Sequence, residues 1–276
     1  TDPIRLLNPI ASQMSVMRSS LLGSLVAVLK FNLDRRAERV RLFELGRVFR
    51  KDASVQDSDT TVAGFDQPMR VAGLAFGPVD DMQWGVPERA VDFFDLKGDV
   101  QALLAPRRPE FRAAEHPAMH PGRCAAVWLD GQLIGHVGEL HPRWRQAYDL
   151  SAAPVLFELD LAAVLVRPVP EFQGVSRHQP VERDLAIVVH ESVTHDAVMA
   201  AIHAIGSPWL REASLFDVYR PKAGAPAGSL QPDEKSLAVR IVLNRDDATL
   251  TDDDIDATVK AALASLQQRI AARLRA

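Results

Sequence analysis

The stretch Ser214-Leu-Phe-Asp-Val-Tyr-Arg220 decides the fold, because its apolar and polar side chains alternate as they do in a β-strand. Strict alternation places Phe216 and Val218 on one face, which requires an apolar core. The opposite face is typical of a platform for a ligand. It carries Leu215, Asp217 and Tyr219.

Two further segments alternate in the same way, over residues 183–190 and 236–243. A helix is predicted between the first two strands, from the N-cap Thr194 to the stop signal Gly206. A second helix is predicted after the third strand, where an apolar stripe begins behind Thr251 and runs to Leu274. The order is strand, helix, strand, strand, helix, with room for a last short strand.

This order is typical of the ferredoxin-like, or split βαβ, fold, in which two helices cover one face of a sheet and leave the other free. The free face can bind a flat polar ligand. An unpaired base is one candidate, because bases stack on aromatic rings and present hydrogen-bonding edges. Cross-strand packing and solubility are the alternative explanations for an exposed Tyr and Asp. The residues predicted on this face are Ala186, Val188, Asp217, Tyr219 and Arg240.

The composition is that of a folded protein. The 276 residues are 47% hydrophobic with a formal net charge of -4, which allows one or two domains. From Phe172 onward, twelve Lys and Arg residues stand against fourteen Asp and Glu residues, so any RNA contact must be local. The single cysteine, Cys124, excludes an internal disulfide and fits a reducing compartment. With no signal peptide and no apolar run of about 20 residues, we expect a cytoplasmic protein that does not enter a membrane.

The chain opens with Thr1-Asp-Pro3 and no initiator Met, so we expect an N-terminally truncated fragment of a longer polypeptide. Residues 167–180 lack an apolar period and contain four Pro or Gly residues, which is typical of a linker. Residues 1–166 are then a first domain of helices and mostly antiparallel strands. Residues 181–276 are the ferredoxin-like domain.

Within the first domain, the patterns predict a helix in residues 15–29 and a strand over residues 40–49 that is bent or approached closely at Gly46. A hairpin is predicted over residues 124–138. Its turn is Asp130-Gly131, a pair that tolerates positive φ.

Other polar groups have simpler explanations than a reactive site. His116, His120 and Cys124 are four residues apart, but intervening prolines exclude a shared helical face, so no metal site is predicted. The acids Asp246, Asp247 and those at residues 252–254 could hold a divalent cation, but acids in a helix first turn are the simpler explanation. Arg47 and Arg50 could meet a phosphate, yet surface arginine is common.

Longer motifs indicate a family. The first domain contains the segments Pro9–Leu22, Arg41–Phe49, Phe94–Asp99, His120–Arg123, Gly138–Pro142 and Phe157–Asp160. The second domain contains Pro180–Ala186 and Phe216–Tyr219. In this order, and nearly end to end, they resemble the C-terminal half of the beta subunits of bacterial phenylalanyl-tRNA synthetases.

The resemblance implies an α+β protein: an antiparallel-sheet domain similar to the class II synthetase catalytic core, followed by a ferredoxin-fold anticodon-binding domain. Residues 49–52 resemble a changed form of the class II motif Phe-Arg-x-Glu, whose Arg holds ATP. No segment resembles the Arg-ending third motif. We therefore expect no catalytic residue, metal or cofactor in this segment.

The resemblance also implies partners. The family's alpha subunit carries the active site within an α2β2 assembly, and the assembled enzyme uses ATP and Mg²⁺ to charge tRNA(Phe). No DNA or membrane partner is expected. The family's magnesium, editing and N-terminal tRNA-binding modules precede the region that this chain resembles.

The resemblance assigns roles on the open sheet face. Asp217 accepts hydrogen bonds from the guanine edge, Tyr219 stacks a neighbouring base, and Ala186 leaves room for it. Arg240 is the cation of the same face, and we predict that it too binds the anticodon. The loop from Pro221 to Pro232 departs from the family pattern.

Two other functions remain open from the sequence. Ferredoxin-like domains also bind amino acids and pair edge to edge, so a regulatory or structural module is the first alternative. An independent ATP-using enzyme is the second.

Overall fold

The computed structural model describes residues 3–169, 172, 174, 176–221 and 230–275. The chain divides into two compact units, Thr1–Pro170 and Glu171–Ala276. Residues 170, 171, 173 and 175 of the predicted linker lie outside the described residues, as do residues 222–229 of the loop that departs from the family pattern. No helix of the described residues is long and apolar enough to span a membrane.

The first unit is built on one antiparallel sheet with the strand order β1-β4-β8-β7-β6-β5. A separate two-stranded ribbon pairs β2 with β3. The elements are α1 (Leu22–Leu33), β1 (Val40–Arg47), β2 (Arg50–Lys51), β3 (Phe65–Asp66), β4 (Met69–Phe76), α2 (Phe93–Leu104), β5 (Glu110–Ala113), β6 (Met119–Leu129), β7 (Gln132–Leu140), α3 (Pro142–Ala147), β8 (Val155–Asp160) and α4 (Leu161–Leu165).

Helices cover the two faces of this sheet, because alternate residues of its central strands are apolar on both sides. On one face, α1 packs against side chains such as Leu74 and Leu156. On the other face, α2 and α4 pack against side chains such as Phe157 and Leu159. The predicted turn of the β6–β7 hairpin is confirmed, since Asp130 and Gly131 both have positive φ, 50° and 78°.

The predicted start of the first helix is wrong: α1 begins at Leu22. The segment before it is extended instead, because Arg18 donates from Nε to the carbonyl of Arg47 at 2.9 Å and forms an ion pair with Glu44. Of the two alternatives predicted at Gly46, a bend or a close approach, the close approach is confirmed, since a Cβ there would overlap Arg18 Nη2. A tertiary contact thus sets the start of α1.

The second unit is a four-stranded antiparallel sheet with the order β10-β11-β9-β12. The predicted N-cap Thr194 is confirmed, since its hydroxyl accepts from Ala197 N. Thr251 is the N-cap of the second helix, and its hydroxyl accepts from Asp254 N. The elements are β9 (Val181–His190), α5 (His195–His203), β10 (Leu210–Tyr219), β11 (Glu234–Leu243), α6 (Asp252–Ile270) and β12 (Arg273–Leu274).

Both helices of this unit pack on one sheet face. Their side chains, including Ile202 and Leu266, form one buried cluster with Ile187, Val239 and Ile241 of the central strands. Within the described residues of this unit, no helix lies on the opposite face. We call that face the open face; the ferredoxin-like arrangement predicted from the sequence is confirmed.

The predicted extension of the second helix to Leu274 is wrong. The helix ends at Ile270, where Ala271 adopts a left-handed conformation with φ 53°. The chain then turns back, and Leu274 pairs with Ile187 in the short strand β12.

Two half-buried histidines lie on the sheet of the first unit. The rings of His116 and His136 have centroids 5.0 Å apart, and His136 pairs in register with Glu158. Burial lowers the pKa of both histidines, and the Glu158 carboxylate opposes this only in part.

We expect the stability of the first unit to fall as the pH drops below about 6.5, the ordinary pKa of histidine. The unfolded chain binds more protons than the folded chain in this range, so the stabilisation is present above that pH and lost below it. Urea denaturation between pH 7.5 and 5.0 should show that the free energy of unfolding falls less for a His116→Gln, His136→Gln double variant than for the wild type. His120→Gln is the control and should follow the wild type. Parallel curves for the double variant and wild type would contradict the expectation.

Candidate functional site

The strand β10 contains a β-bulge in the middle of the predicted platform. Its register against β11 pairs Leu215 with Val239, a fully buried core residue. The next pairing is Asp217 with Ala238, so Phe216 is an extra residue without a partner of its own. Opposite residues of antiparallel strands share a face, so Leu215 faces the core. The prediction that Leu215 shares a face with Asp217 is therefore wrong.

The bulge keeps Asp217 and Tyr219 together on the open face. Tyr219 pairs with Ser236, two positions along β11 from Ala238, the partner of Asp217. The Tyr219 side chain is 45% exposed. Among the described residues, no hydrogen bond or ion pair engages the Asp217 carboxylate. The acceptor oxygens of Asp217 and the ring of Tyr219 are thus presented side by side.

Phe216 is also on the open face, which corrects its predicted place in the core. It is 55% exposed. The centre of its ring lies 5.3 Å from Cζ of Arg240, a cation–π distance. Strict alternation fails here because a bulge turns two consecutive residues toward the same side. Phe216 therefore adds a second aromatic surface beside Asp217.

Small side chains form a floor beside Asp217. The register runs across three strands from Asp217 to Ala238 and on to Ala186. Larger side chains stand on both sides of this row, with Tyr219 on one side and Arg240 on the other. Those two flanking rows are four residues apart along β11, or about 13 Å. The open face thus contains a trough with an alanine floor. The sequence predicted Ala186 on this face but did not single out Ala238.

Arg240 is held by two carboxylates of the neighbouring strand. It donates to Asp184 from Nε at 2.8 Å and from Nη2 at 3.0 Å, and its Nη1 lies 3.1 Å from Glu182 Oε2. These hydrogen bonds lower the pKa of Asp184 and raise the pKa of Arg240. The charge of Arg240 is therefore largely offset, and what it offers a ligand is its planar surface next to Phe216.

Arg275 is a residue of this face that the sequence reasoning missed. Its backbone N–H donates to the carbonyl of Ala186 at 2.8 Å. Its guanidinium Cζ lies 5.2 Å from the centre of the Tyr219 ring. The Arg-Leu-Arg alternation of residues 273–275 is the sequence signal that could have indicated a strand here. The apolar stripe of the second predicted helix includes Leu274 and hides this signal.

The arrangement is suited to bind one flat, polar ligand. An unpartnered carboxylate binds a donor edge, two aromatic rings provide stacking surfaces, and the alanine floor leaves space between them. None of these groups forms a nucleophile with an adjacent base, so the site is suited to recognition rather than to reaction.

In the first unit, the residues that resemble a class II motif are used locally. Asp52 accepts from the backbone N of Ser54 at 2.9 Å and from its hydroxyl at 2.6 Å, and the hydroxyl bond lowers the pKa of Asp52. Arg47 donates to the carbonyl of Gln67 at 2.9 Å. Arg50 is exposed and pairs with Asp66 in the ribbon. The acid and the arginines are therefore spread along one hairpin.

The groups considered for a metal site are separated. His116 packs on His136, whereas Nδ1 of His120 accepts from Gly122 N at 3.0 Å. Cys124 is buried, its Sγ is 3.5 Å from Met119 Sδ, and burial raises its pKa to about 11. Within the described residues, no group of three or more His, Cys, Asp or Glu side chains is placed to hold a metal ion.

Two family models match this chain. Residues 1–161 match the phenylalanyl tRNA synthetase beta chain CLM domain. Residues 176–275 match the ferredoxin-fold anticodon binding domain. The second match agrees with the split βαβ topology, so the predicted fold class is confirmed by topology and by sequence.

The curated relatives that match this chain are phenylalanine–tRNA ligase beta subunits. The phenylalanine–tRNA ligase beta subunit of Ralstonia nicotianae is 52% identical over 281 residues, which is 100% of this chain and 34% of the relative. That of Chromobacterium violaceum is 49% identical over 274 residues, 99% of this chain and 33% of the relative. The chain thus spans about a third of the length of these relatives. A solved pyrrolysyl tRNA synthetase from Desulfitobacterium hafniense aligns with 59% of this chain and 51% of its own, at 13% identity and a TM-score of 0.40, too weak a likeness to carry an argument.

We expect Leu215→Ala to destabilise the second unit more than Phe216→Ala. Leu215 packs against the buried cluster, so its truncation costs about 1 to 3 kcal/mol, whereas an exposed side chain contributes about 0.5 kcal/mol or a little more. Hydrogen exchange of the β9 and β11 amides measures the difference. A larger destabilisation by Phe216→Ala than by Leu215→Ala would indicate strict alternation and contradict the bulge.

Proposed function

The chain belongs to the phenylalanyl-tRNA synthetase beta chain family, and from that premise we propose that it is a noncatalytic C-terminal part of the beta subunit. In this proposal its second unit binds the anticodon of tRNA(Phe), and its first unit supports the alpha subunit within an α2β2 enzyme of the cytoplasm. The assembled enzyme charges tRNA(Phe) with phenylalanine. The observation that carries the proposal is the pair Asp217 and Tyr219, which project together beside an alanine floor on a sheet face without a helix.

The carboxylate of Asp217 suits the edge of a guanine. Guanine presents two neighbouring N–H donors on its Watson–Crick edge, and a carboxylate accepts both at once. A bidentate contact of this kind is worth about 1 to 3 kcal/mol of discrimination. The absence of an internal partner among the described residues leaves both oxygens of Asp217 available.

The ring of Tyr219 supplies the stacking surface for the same or a neighbouring base. Stacking on an aromatic side chain is worth about 1 to 3 kcal/mol per base. Ala186 and Ala238 contribute by their size, because larger side chains at either position would fill the trough. The predicted role of Arg240 in anticodon binding is retained in the proposal as a contact surface rather than as a free cation.

The first unit offers an apolar edge for the alpha subunit. Phe43 and Leu45 are 76% and 53% exposed, and both lie on β1, an edge strand of the six-stranded sheet. Exposed apolar side chains on an edge strand are typical of a protein contact. ATP and Mg²⁺ belong to the assembled enzyme in this proposal.

The alternative of an amino-acid-binding regulatory module has less support. A cavity of about 220 Å³ lies between α6 and β12, but apolar residues such as Leu263 and Leu266 account for most of its lining. An amino acid requires partners for its ammonium and carboxylate groups. The polar trough of the open face is the better-built site.

We expect Asp217→Asn to raise the KM of the assembled enzyme for tRNA(Phe) by about 5- to 150-fold, the kinetic equivalent of one bidentate base contact. The loss should shrink when inosine, which lacks the exocyclic amine, replaces the anticodon guanine. Charging kinetics with both transcripts measure this. Asp256→Asn, an exposed acid on α6, is the matched control. Equal KM values for Asp217→Asn and wild type with the guanine transcript would refute the decoding role.

We expect Phe43→Asp to weaken assembly with the alpha subunit, because it places a charge on the apolar edge. Leu133→Asp is the control, since Leu133 is 50% exposed on β7, away from that edge. Co-expression of the two subunits followed by light scattering measures the assembled mass. An unchanged tetramer in the Phe43→Asp enzyme would place the alpha contact elsewhere.

A further inference from the structure

Arg275 reaches the open face from a strand that forms only when the chain has turned back after α6. The register pairs Arg273 with Val188 and Leu274 with Ile187. The bond from Arg275 N to the Ala186 carbonyl continues this register. Arg275 thus stands beside Ala186, at the opposite end of the alanine floor from Asp217.

The charge of Arg275 is not offset by the carboxylates around it. Other arginines of this region are paired: Arg240 with Asp184, Arg273 with Glu234, and Arg220 with Glu191. Among the described residues, no carboxylate forms an ion pair with Arg275. The alanine floor therefore has the carboxylate of Asp217 at one end and the backbone of Arg275 at the other, and among the described residues neither side chain has an ion-pair partner.

The side chain of Arg275 extends back across the sheet. Its Nη1 lies 3.4 Å from the hydroxyl of Ser236, and its Cζ lies over the ring of Tyr219 on the far strand. The hydroxyl contact is long for a hydrogen bond. Insertion of a base between the ring and the guanidinium requires the guanidinium to move by the thickness of one base, about 3.5 Å.

We propose that Arg275 is a base-contacting residue that closes over the nucleotide held by Asp217 and Tyr219, so that the base is stacked between a phenol ring and a guanidinium plane. The proposal rests on the proposed anticodon-binding function and assigns the second wall of that site. A guanidinium suits this role because it is planar, remains charged and stacks on bases, whereas an ammonium is a compact point charge. The contact already made with Tyr219 places the guanidinium next to the ring on which the base would stack.

The test measures charging of tRNA(Phe) by the assembled enzyme with variants at Arg275. Arg275→Ala should raise the KM for tRNA by about two- to fivefold, the range of an exposed cation–π contact. Arg275→Lys should recover little of this loss, since it restores the charge without the plane. Arg269→Ala, which removes an exposed arginine from α6, is the control and should leave the KM unchanged.

A transcript with an abasic nucleotide at the anticodon guanine separates base contact from phosphate contact. The effect of Arg275→Ala should disappear with this transcript, because no base remains to be clamped. If the effect persists undiminished, or if Arg275→Lys restores the wild-type KM, Arg275 acts on phosphate and the clamp is refuted.

Tyr219→Ala is assayed in parallel so that failure of the Arg275 clamp can be distinguished from failure of the anticodon-binding proposal. A raised KM for Tyr219→Ala together with a wild-type KM for Arg275→Ala would refute the clamp and retain anticodon binding by this face. Wild-type KM values for both variants would refute the anticodon function itself.

Discussion

One extra residue in β10 determines the composition of the open face. Leu215 packs against the helices, yet Asp217 and Tyr219 face away from them. Residues two apart on a regular strand cannot lie on opposite faces. The β-bulge at Phe216 resolves this conflict, because it shifts the alternation by one position while the ladder to β11 continues on both sides. The same shift brings Phe216 out of the core and next to Arg240, so the site gains an aromatic ring.

The distribution of charge on this face bears on the proposed binding of RNA by an acidic protein. Most arginines near the trough are paired with carboxylates, as Arg240 is with Asp184. Such pairs fix side-chain positions and leave little net charge for attraction at a distance. Recognition then depends on short-range groups: the free carboxylate of Asp217, the ring of Tyr219 and the guanidinium of Arg275. In the proposed function, this face contributes selectivity, and other parts of the assembly contribute most of the affinity.

The first unit is organised as a packed scaffold. Its central strands are buried by helices on both faces, and the residues that resemble a catalytic motif make contacts within their own hairpin, as Asp52 does with Ser54. The apolar residues that remain exposed on β1, Phe43 and Leu45, stand at the sheet edge. The unit thus offers a surface for association.

The sequence by itself determined the local elements and the family. Period-two alternation located β9 and β11, and the N-cap Thr194 located the start of α5, because these signals lie within a few neighbouring residues. The order of the longer motifs along the chain identified the family. Tertiary structure decided the rest. The bulge at Phe216 exists only in relation to β11, and Arg275 joins the site only because β12 pairs with a strand about 90 residues earlier. Registers of this kind depend on hydrogen bonds between distant segments, which no local pattern records.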